Sequence, residues 1–383
     1  MIKQNFQFLT NVNASVGNGQ IRELHKTVQQ ENAERLLIFI DEGFSKTDLW
    51  LKKTLPKIEA SIPLLKLVSV SGKREPSYDD LRSYLHSLRG EKYDLVIGVG
   101  GGSCMDISKA LSVLLTNSED PLQYRGFDKI LKPGIKLILI PTTSGTGSEA
   151  SYNASFVDKQ SNKKLGINGK NMFAYKAILD GEATLSCPKF PLLGSAVDAI
   201  VHSLEGYVCN NSNIFSDMLA EKSIQLMINN ISDINEKIGN VDKRLKLLEG
   251  SFLAGIVQMN SGSGVAAAIS YPLSVYYGVP HGIGGGIFCL GIARWNIERG
   301  YDKYKYLSNL FNIKSGSSID IINYIQEIFD SLGVPKKLNM FGIKNSDLDH
   351  LVKIMDTQQI AFDQNPVKFS VKHDFEKFIK DYL

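Results

Sequence analysis

Four short apolar runs in the first half of the chain, separated by segments of helical periodicity, limit the fold more than any other feature of the sequence. Leu36-Leu-Ile-Phe-Ile40 ends at Asp41, and Leu65-Lys-Leu-Val-Ser-Val70, Asp94-Leu-Val-Ile-Gly-Val99 and Lys136-Leu-Ile-Leu-Ile140 follow it in turn. Helical patterns occupy 46–61, 77–88 after the Glu75-Pro76 start signal, and 106–116. Near-continuous apolar runs are those of parallel strands buried on both faces, and parallel neighbours need crossover helices. The expectation is a doubly wound α/β layer.

From about Pro188 the strand-like runs give way to long amphipathic segments at 192–208, 214–231, 241–259, 319–332 and 345–357. The simplest division is an α/β domain over residues 1–185 and an all-α domain over 186–383, with the change near Asp180–Pro191 and a cleft between them. A chain of 383 residues is long for one core and suits two domains. The net charge of +3, without a long Lys/Arg run, gives no nucleic-acid footprint. No stretch approaches the roughly 20 apolar residues that span a bilayer. The opening segment Met1–Gly17 lacks the basic start, apolar middle and small-residue cleavage site of a signal peptide. Cys104, Cys187, Cys209 and Cys289 have no paired spacing, so neither a disulfide framework nor a zinc ribbon is expected. These features predict a cytoplasmic protein that works on a small molecule, without a nucleic-acid or membrane partner.

Two loops carry the first chemical signal. Val96-Ile-Gly-Val-Gly-Gly-Gly-Ser103 leads from a strand into a helix beginning near Asp106. Three consecutive glycines let a backbone approach a diphosphate, which the free N–H groups of the helix start would hold. The run is neither G-x-G-x-x-G nor a Walker A loop, and a tight turn without a ligand is the competing reading. Ile140-Pro-Thr-Thr-Ser-Gly-Thr-Gly-Ser-Glu149 also follows a strand and concentrates hydroxyls at its carboxyl end, where open α/β sheets bind ligands. Asp41, ending the first long strand, suits a ribose diol and would repel a 2′-phosphate, favouring NAD over NADP; alone, such an Asp is more often a turn former.

The second signal lies in the helical half. Among six histidines, His25, His86, His350 and His373 stand among polar residues and read as surface side chains. Asp198-Ala-Ile-Val-His202 instead sets a carboxylate and an imidazole one turn apart within an apolar helix, and Glu205 extends the same stripe. A buried Asp and His need partners, and a cation would satisfy both. His281, in Pro280-His-Gly-Ile-Gly-Gly-Gly286, reads either as a third ligand or as a hydrogen-bonded core histidine. Three ligands and an open position make a catalytic rather than a structural site, and mixed N/O donors fit Fe(II) or Zn(II).

Taken together, Val99-Gly-Gly-Gly-Ser-Cys-Met-Asp-Ile-Ser-Lys-Ala110, Pro141-Thr-Thr-Ser-Gly-Thr-Gly-Ser-Glu149, Asp198-x-x-x-His202-x-x-Glu205 and Pro280-His-Gly282 resemble the iron-containing (group III) alcohol dehydrogenases, from about Gly17 to Asn296. The resemblance implies a dinucleotide-binding α/β domain, a helical domain, hydride transfer in the cleft between them, and a homodimer. It puts Asp41 at the adenosine ribose. Gly101, Gly102 and Ser103 fall at the pyrophosphate, with Asp106 in the same motif. Thr142, Thr143, Ser151 and Lys164 fall on the second cofactor loop and the lysine after it. Asp198, His202 and His281 match three of four metal ligands. The fourth is missing. The family pattern places a histidine near Ala267 and a second, non-ligand histidine near Tyr271, yet 261–273 contains none. Ser-Tyr-Pro-Leu around Tyr271 resembles the branch acting on functionalised aldehydes such as phosphonoacetaldehyde, and loosely the sugar-acid oxidases.

The expected activity is NAD(P)-dependent interconversion of an alcohol and an aldehyde or ketone, on a small phosphonate- or sugar-like substrate. A cation at the three ligands would assist hydride transfer, with Tyr271 and His281 as the catalytic pair and Tyr271 relaying the proton. With alanine at 267, the site is three-coordinate plus water or substrate, weakly metallated, or metal-free. Two rival expectations are a sugar-phosphate cyclase of the dehydroquinate synthase type, and an NAD-binding homologue whose site has decayed.

Overall fold

The apolar runs do form strands. The computed structural model describes residues 5–236 and 239–383, so the first four residues of the opening segment lie outside the described residues. Among the described residues there are nine strands: β1 (Asn13–Val16), β2 (Arg35–Asp41), β3 (Leu64–Val70), β4 (Leu95–Gly100), β5 (Gly126–Phe127), β6 (Lys136–Pro141), β7 (Asn153–Asp158), β8 (Lys163–Asn168) and β9 (Lys176–Leu179). Six of them make a parallel sheet in the order β1-β9-β6-β4-β2-β3. Alternation along the strands divides the core between its two faces. Leu37, Phe39, Val96, Leu137 and Leu139 enter one apolar cluster, and Leu36, Ile38, Ile40, Leu95, Ile97, Ile138 and Ile140 the other.

Helices α1 (Leu24–Gln30), α2 (Leu55–Glu59), α3 (Tyr78–Leu88) and α4 (Gly102–Leu114) accompany the sheet. A capping box starts α3, because Ser77 Oγ accepts from Asp80 N–H while the Asp80 carboxylate accepts from Ser77 N–H. The helix expected over 46–61 opens as a wide π turn, Leu49–Thr54, before α2. Pro56 has no amide hydrogen to close an α-type bond onto Lys52, and Thr54 Oγ1 donates to the Leu49 carbonyl. From β2 the chain adds β3 on one side and β4 on the other. This reversal creates a crevice at the carboxyl ends of β2 and β4, where Asp41 and Gly100 stand. A small second sheet, β5-β8-β7, did not register in the strand pattern of the sequence.

Where the sequence suggests one boundary near residue 185, the chain divides into two units that are discontinuous in sequence. The α/β unit takes Thr10–Pro188 and Lys237–Gly255; the helical unit takes residues up to Leu9, Lys189–Glu236 and Ile256–Leu383. Leu248 explains part of the exchange, since it is buried with Ala177 and Leu179 of β9. All strands among the described residues belong to the α/β unit, and the helical unit has none.

The later helices are α5 (Lys189–Val208), α6 (Ile214–Asn230), α7 (Val241–Ser261), α8 (Val265–Tyr277), α9 (His281–Glu298) and α10 (Ser318–Leu332). Helices α5 and α9 pack backbone against backbone where α9 carries glycines. A Cβ on Gly282 would collide with the Gly194 carbonyl and stand 2.7 Å from Asp198 Cβ, and one on Gly286 would collide with Val197. These glycines are what bring His281 to Asp198. Among the described residues, no single helix is long and apolar enough to cross a membrane.

Candidate active site

In the α/β unit, Asp41 closes β2 with an Asx-type turn. Its Oδ1 accepts the N–H groups of Gly43 (2.9 Å) and Phe44 (3.0 Å). Its Oδ2 faces Gly72, where a Cβ would stand 3.1 Å away, and a Cβ on Gly100 would be 3.2 Å from Asp41 Cβ. The carboxylate therefore forms the turn and also lies in a glycine-lined cradle at the switch point.

The two loops interlock. A Cβ on Gly101 would stand 3.3 Å from Thr143 Oγ1, and one on Gly102 would stand 2.6 Å from Thr146 Cγ2. Glycine is needed there because the hydroxyl loop lies against it, a reason additional to ligand approach. Helix α4 starts at Gly102, earlier than its pattern suggests, with no side-chain cap. Its first amides, around the half-buried Ser103, keep the donors that an anion takes.

The Asp106 carboxylate is engaged by the protein itself. Its Oδ1 accepts from Ser148 Oγ (2.6 Å) and its Oδ2 from Ser155 N–H (2.8 Å). Buried Lys109 lies 3.2 Å from Oδ1 and donates to the carbonyls of Ser148 and Asn153. The carboxylate thus ties α4 to the hydroxyl loop through Oδ1 and to β7 through Oδ2. Thr142, buried, donates its N–H to Gly100 O (3.0 Å), and buried Ser151 ends the turn Ser148–Ala150. Lys164 lies on β8 with its Nζ 3.0 Å from Glu75 Oε2. Glu149, the last residue of the hydroxyl loop, carries no chemical signal in the sequence. It is fully buried, neither oxygen has a hydrogen-bond partner, and burial pushes its pKa up to about 7 against the charge of Lys109.

In the helical unit, α5 presents Asp198 and His202 from successive turns, and His281 is the first residue of α9. His202 Nε2 is 3.5 Å and His281 Nε2 3.9 Å from Asp198 Oδ1, and the potential ligand atoms of the three lie within 4.8 Å of one another. Donors arranged tetrahedrally at about 2.1 Å from a cation are roughly 3.4 Å apart, so this spacing suits one. His202 is buried, and neither ring nitrogen has a hydrogen-bond partner. An imidazole stripped of water on both nitrogens is destabilised unless something binds it. The donor set and the unsatisfied imidazole together fit a divalent ion.

Helix α8 supplies the remaining neighbours. Ala267 is buried, and its side chain, a methyl group, has no donor to offer a cation. The Tyr271 ring lies against His281, with centroids 4.5 Å apart at 35°. Ser270 Oγ is 2.6 Å from His281 Nδ1, a contact the sequence reading missed. Glu205 caps the helix, accepting from the N–H groups of Gly264 (2.8 Å), Ala266 (2.6 Å) and Ala267 (3.3 Å). Burial pushes the Glu205 carboxyl up to about 7, with those three amides opposing.

Residues 12–181 match the iron-containing alcohol dehydrogenase family model, and residues 193–381 match the C-terminal model of the same family. The 4-hydroxybutyrate dehydrogenase of Clostridium kluyveri is 32% identical over 310 residues, covering 78% of this chain and 81% of that protein. The chain belongs to the iron-containing alcohol dehydrogenase family. Another relative is long-chain-alcohol dehydrogenase 1 of Geobacillus thermodenitrificans, 29% identical over 92% of this chain and 90% of its own length. The fold is that of sulfoacetaldehyde reductase from Bifidobacterium kashiwanohense, solved in complex with NAD+. The TM-score is 0.87 at 21% identity, over 99% of each chain. As a member of the iron-containing alcohol dehydrogenases, the protein is an oxidoreductase of the alcohol dehydrogenase and aldehyde reductase class. Among the described residues, the candidate ligands that converge are Asp198, His202 and His281.

Proposed function

We propose that this enzyme interconverts a small functionalised alcohol and its aldehyde or ketone, with NAD as hydride carrier and a divalent cation at Asp198, His202 and His281. The observation that carries the reading is His202, buried with both ring nitrogens lacking a hydrogen-bond partner beside a carboxylate and a second imidazole. When bound, the cation would supply Lewis acidity, stabilising a substrate alkoxide or polarising a carbonyl.

The rest of the chemistry falls to the chain's own groups. The amides that open α4 hold the cofactor diphosphate, and Asp41 takes the adenosine ribose and disfavours a 2′-phosphate. Thr142, Thr143, Ser151 and Lys164 serve the remainder of the cofactor, in loops that Asp106 and Lys109 hold in place. Asp198 provides the negative charge of the cation site. Tyr271, set by its packing on His281, relays the proton to or from the substrate oxygen. A small substrate with a polar or anionic tail is supported by the Ser-Tyr-Pro-Leu setting of Tyr271 and by the names of two similar proteins, a 4-hydroxybutyrate dehydrogenase and a sulfoacetaldehyde reductase.

The test combines metal analysis of protein purified without chelator with NADH oxidation on a panel of aldehydes. The expected result is about one divalent ion per chain and turnover that favours short functionalised aldehydes over long-chain ones. Absence of metal with turnover undiminished in EDTA would remove the cation from the mechanism. No change in NADH with any carbonyl would leave the cyclase or a decayed binding protein instead.

A further inference from the structure

We infer that Ser270 is a positioning residue that fixes the tautomer of His281, holding its Nδ1 protonated so that Nε2 carries the lone pair presented toward Asp198. The inference rests on the cation reading of the cluster. It follows from counting hydrogens. Ser270 Oγ lies 2.7 Å from the Ala267 carbonyl and 2.6 Å from His281 Nδ1. A hydroxyl has one hydrogen, and a carbonyl can only accept. The Ser270 proton therefore goes to Ala267 O, and Oγ accepts from Nδ1–H. The opposite assignment would set two oxygen lone pairs against each other at 2.7 Å in a buried site.

With Nδ1 protonated, Nε2 has no hydrogen to share with Asp198 Oδ1 at 3.9 Å. Two electron-rich atoms then face each other across a space that a cation fills. The same helix steadies the ring plane with the next residue, since Tyr271 stacks on His281. Outer groups of this kind fix the orientation and raise the basicity of a ligating histidine. In this chain the device comes from the helix that lacks the fourth donor, so three ligands are pre-set instead of four being present.

Two measurements test the proposal, one of them independent of any metal. Long-range 1H–15N spectra of 15N-histidine-labelled, metal-free protein, recorded well above the ordinary imidazole pKa of about 6.5, report which nitrogen of His281 is protonated. The His281 signal is identified by its loss in His281→Asn. The wild-type spectrum should show the Nδ1–H tautomer, and Ser270→Ala should move His281 to the Nε2–H form or a mixture. Wild-type protein with His281 in the Nε2–H form overturns the proposal even if Ser270→Ala fails to fold. In the second measurement Zn2+ is titrated against a chromophoric chelator. Ser270→Ala should bind about 10- to 100-fold more weakly, and Ser270→Thr, which keeps the hydroxyl, should bind like wild type. Equal affinity for all three overturns the positioning role. Should wild-type protein bind no Zn2+ while the spectrum shows Nδ1–H, the cation reading fails and the tautomer assignment stands.

Discussion

The α/β unit and the helical unit treat their chemistry-bearing side chains in opposite ways. In the α/β unit the fold itself occupies them. Asp41 Oδ1 binds two amides of its own turn, Asp106 binds Ser148 and Ser155, and Lys164 pairs with Glu75. In the helical unit Asp198, His202 and His281 converge, yet His202 has no hydrogen-bond partner at either ring nitrogen. A dinucleotide site built from backbone shape can be complete before its ligand arrives. A site built from converging donors cannot, because the groups that bind the ion repel or strand one another without it.

If the two sites are separable in this sense, damage to one should leave the other intact. The largest effect is expected from His202→Ala. It should abolish tight metal retention and lower kcat/KM by about a thousandfold, while NADH affinity in a fluorescence titration stays within about twofold. Loss of NADH binding in this variant would break the comparison. Asp41→Ser should cut the preference for NADH over NADPH by about tenfold, worth about 1.4 kcal/mol, with metal content unchanged. An unaltered preference would leave Asp41 as a turn former only.

Gly102→Ala sharpens the same contrast, because the new methyl would meet Thr146 Cγ2 at 2.6 Å. Overpacking should cost about 1–3 kcal/mol in urea unfolding and weaken NADH binding. Removing that Cγ2 as well, in Gly102→Ala/Thr146→Ser, should restore part of both losses.

The last effect concerns pH and leaves both sites untouched. Glu149 is raised from its ordinary 4.5 to about 7 by burial, so its contribution to stability is present below pH 4.5 and lost as pH rises through 7. Glu149→Gln should flatten the decline in unfolding free energy between those values, by at most about 3 kcal/mol. An unchanged slope would mean that Glu149 gains a partner in solution.

Much of this arrangement was legible in the sequence. The strands β2, β3, β4 and β6 announced themselves as apolar runs, and the Asp198–His202 pair declared a polar stripe in an apolar helix. Other parts were hidden for physical reasons. β1 and β9 are only four residues long, and β8, Lys-Lys-Leu-Gly-Ile-Asn, lacks an apolar face of any length. Helices α8 and α9 carry Pro272 and five glycines, residues that oppose helix formation when taken singly. Those glycines earn no helical propensity, but they permit the close approach to α5 that builds the cluster. Asp106 reads from its motif as part of a phosphate-binding turn, and its hydrogen bonds to Ser148 and Ser155 could not be read from the sequence. Ser270 gave no signal at all, since nothing in the sequence tells that a serine one residue before Tyr271 meets an imidazole eleven positions on.

The discontinuous α/β unit also has a consequence for how the protein is made and cut. Gly147 lies against Gly255, Gly181 against the Val241 carbonyl, and Asn18 Nδ2 donates to Asp242 Oδ1 at 2.7 Å. A ribosome that has released residue 185 has therefore not yet supplied the segment that completes the α/β unit. That unit can close only after much of the helical sequence has been synthesised. A fragment cut at the apparent boundary would expose β9 and the hydroxyl loop, and the α/β unit could be grafted into another protein only together with a stretch drawn from later in the chain.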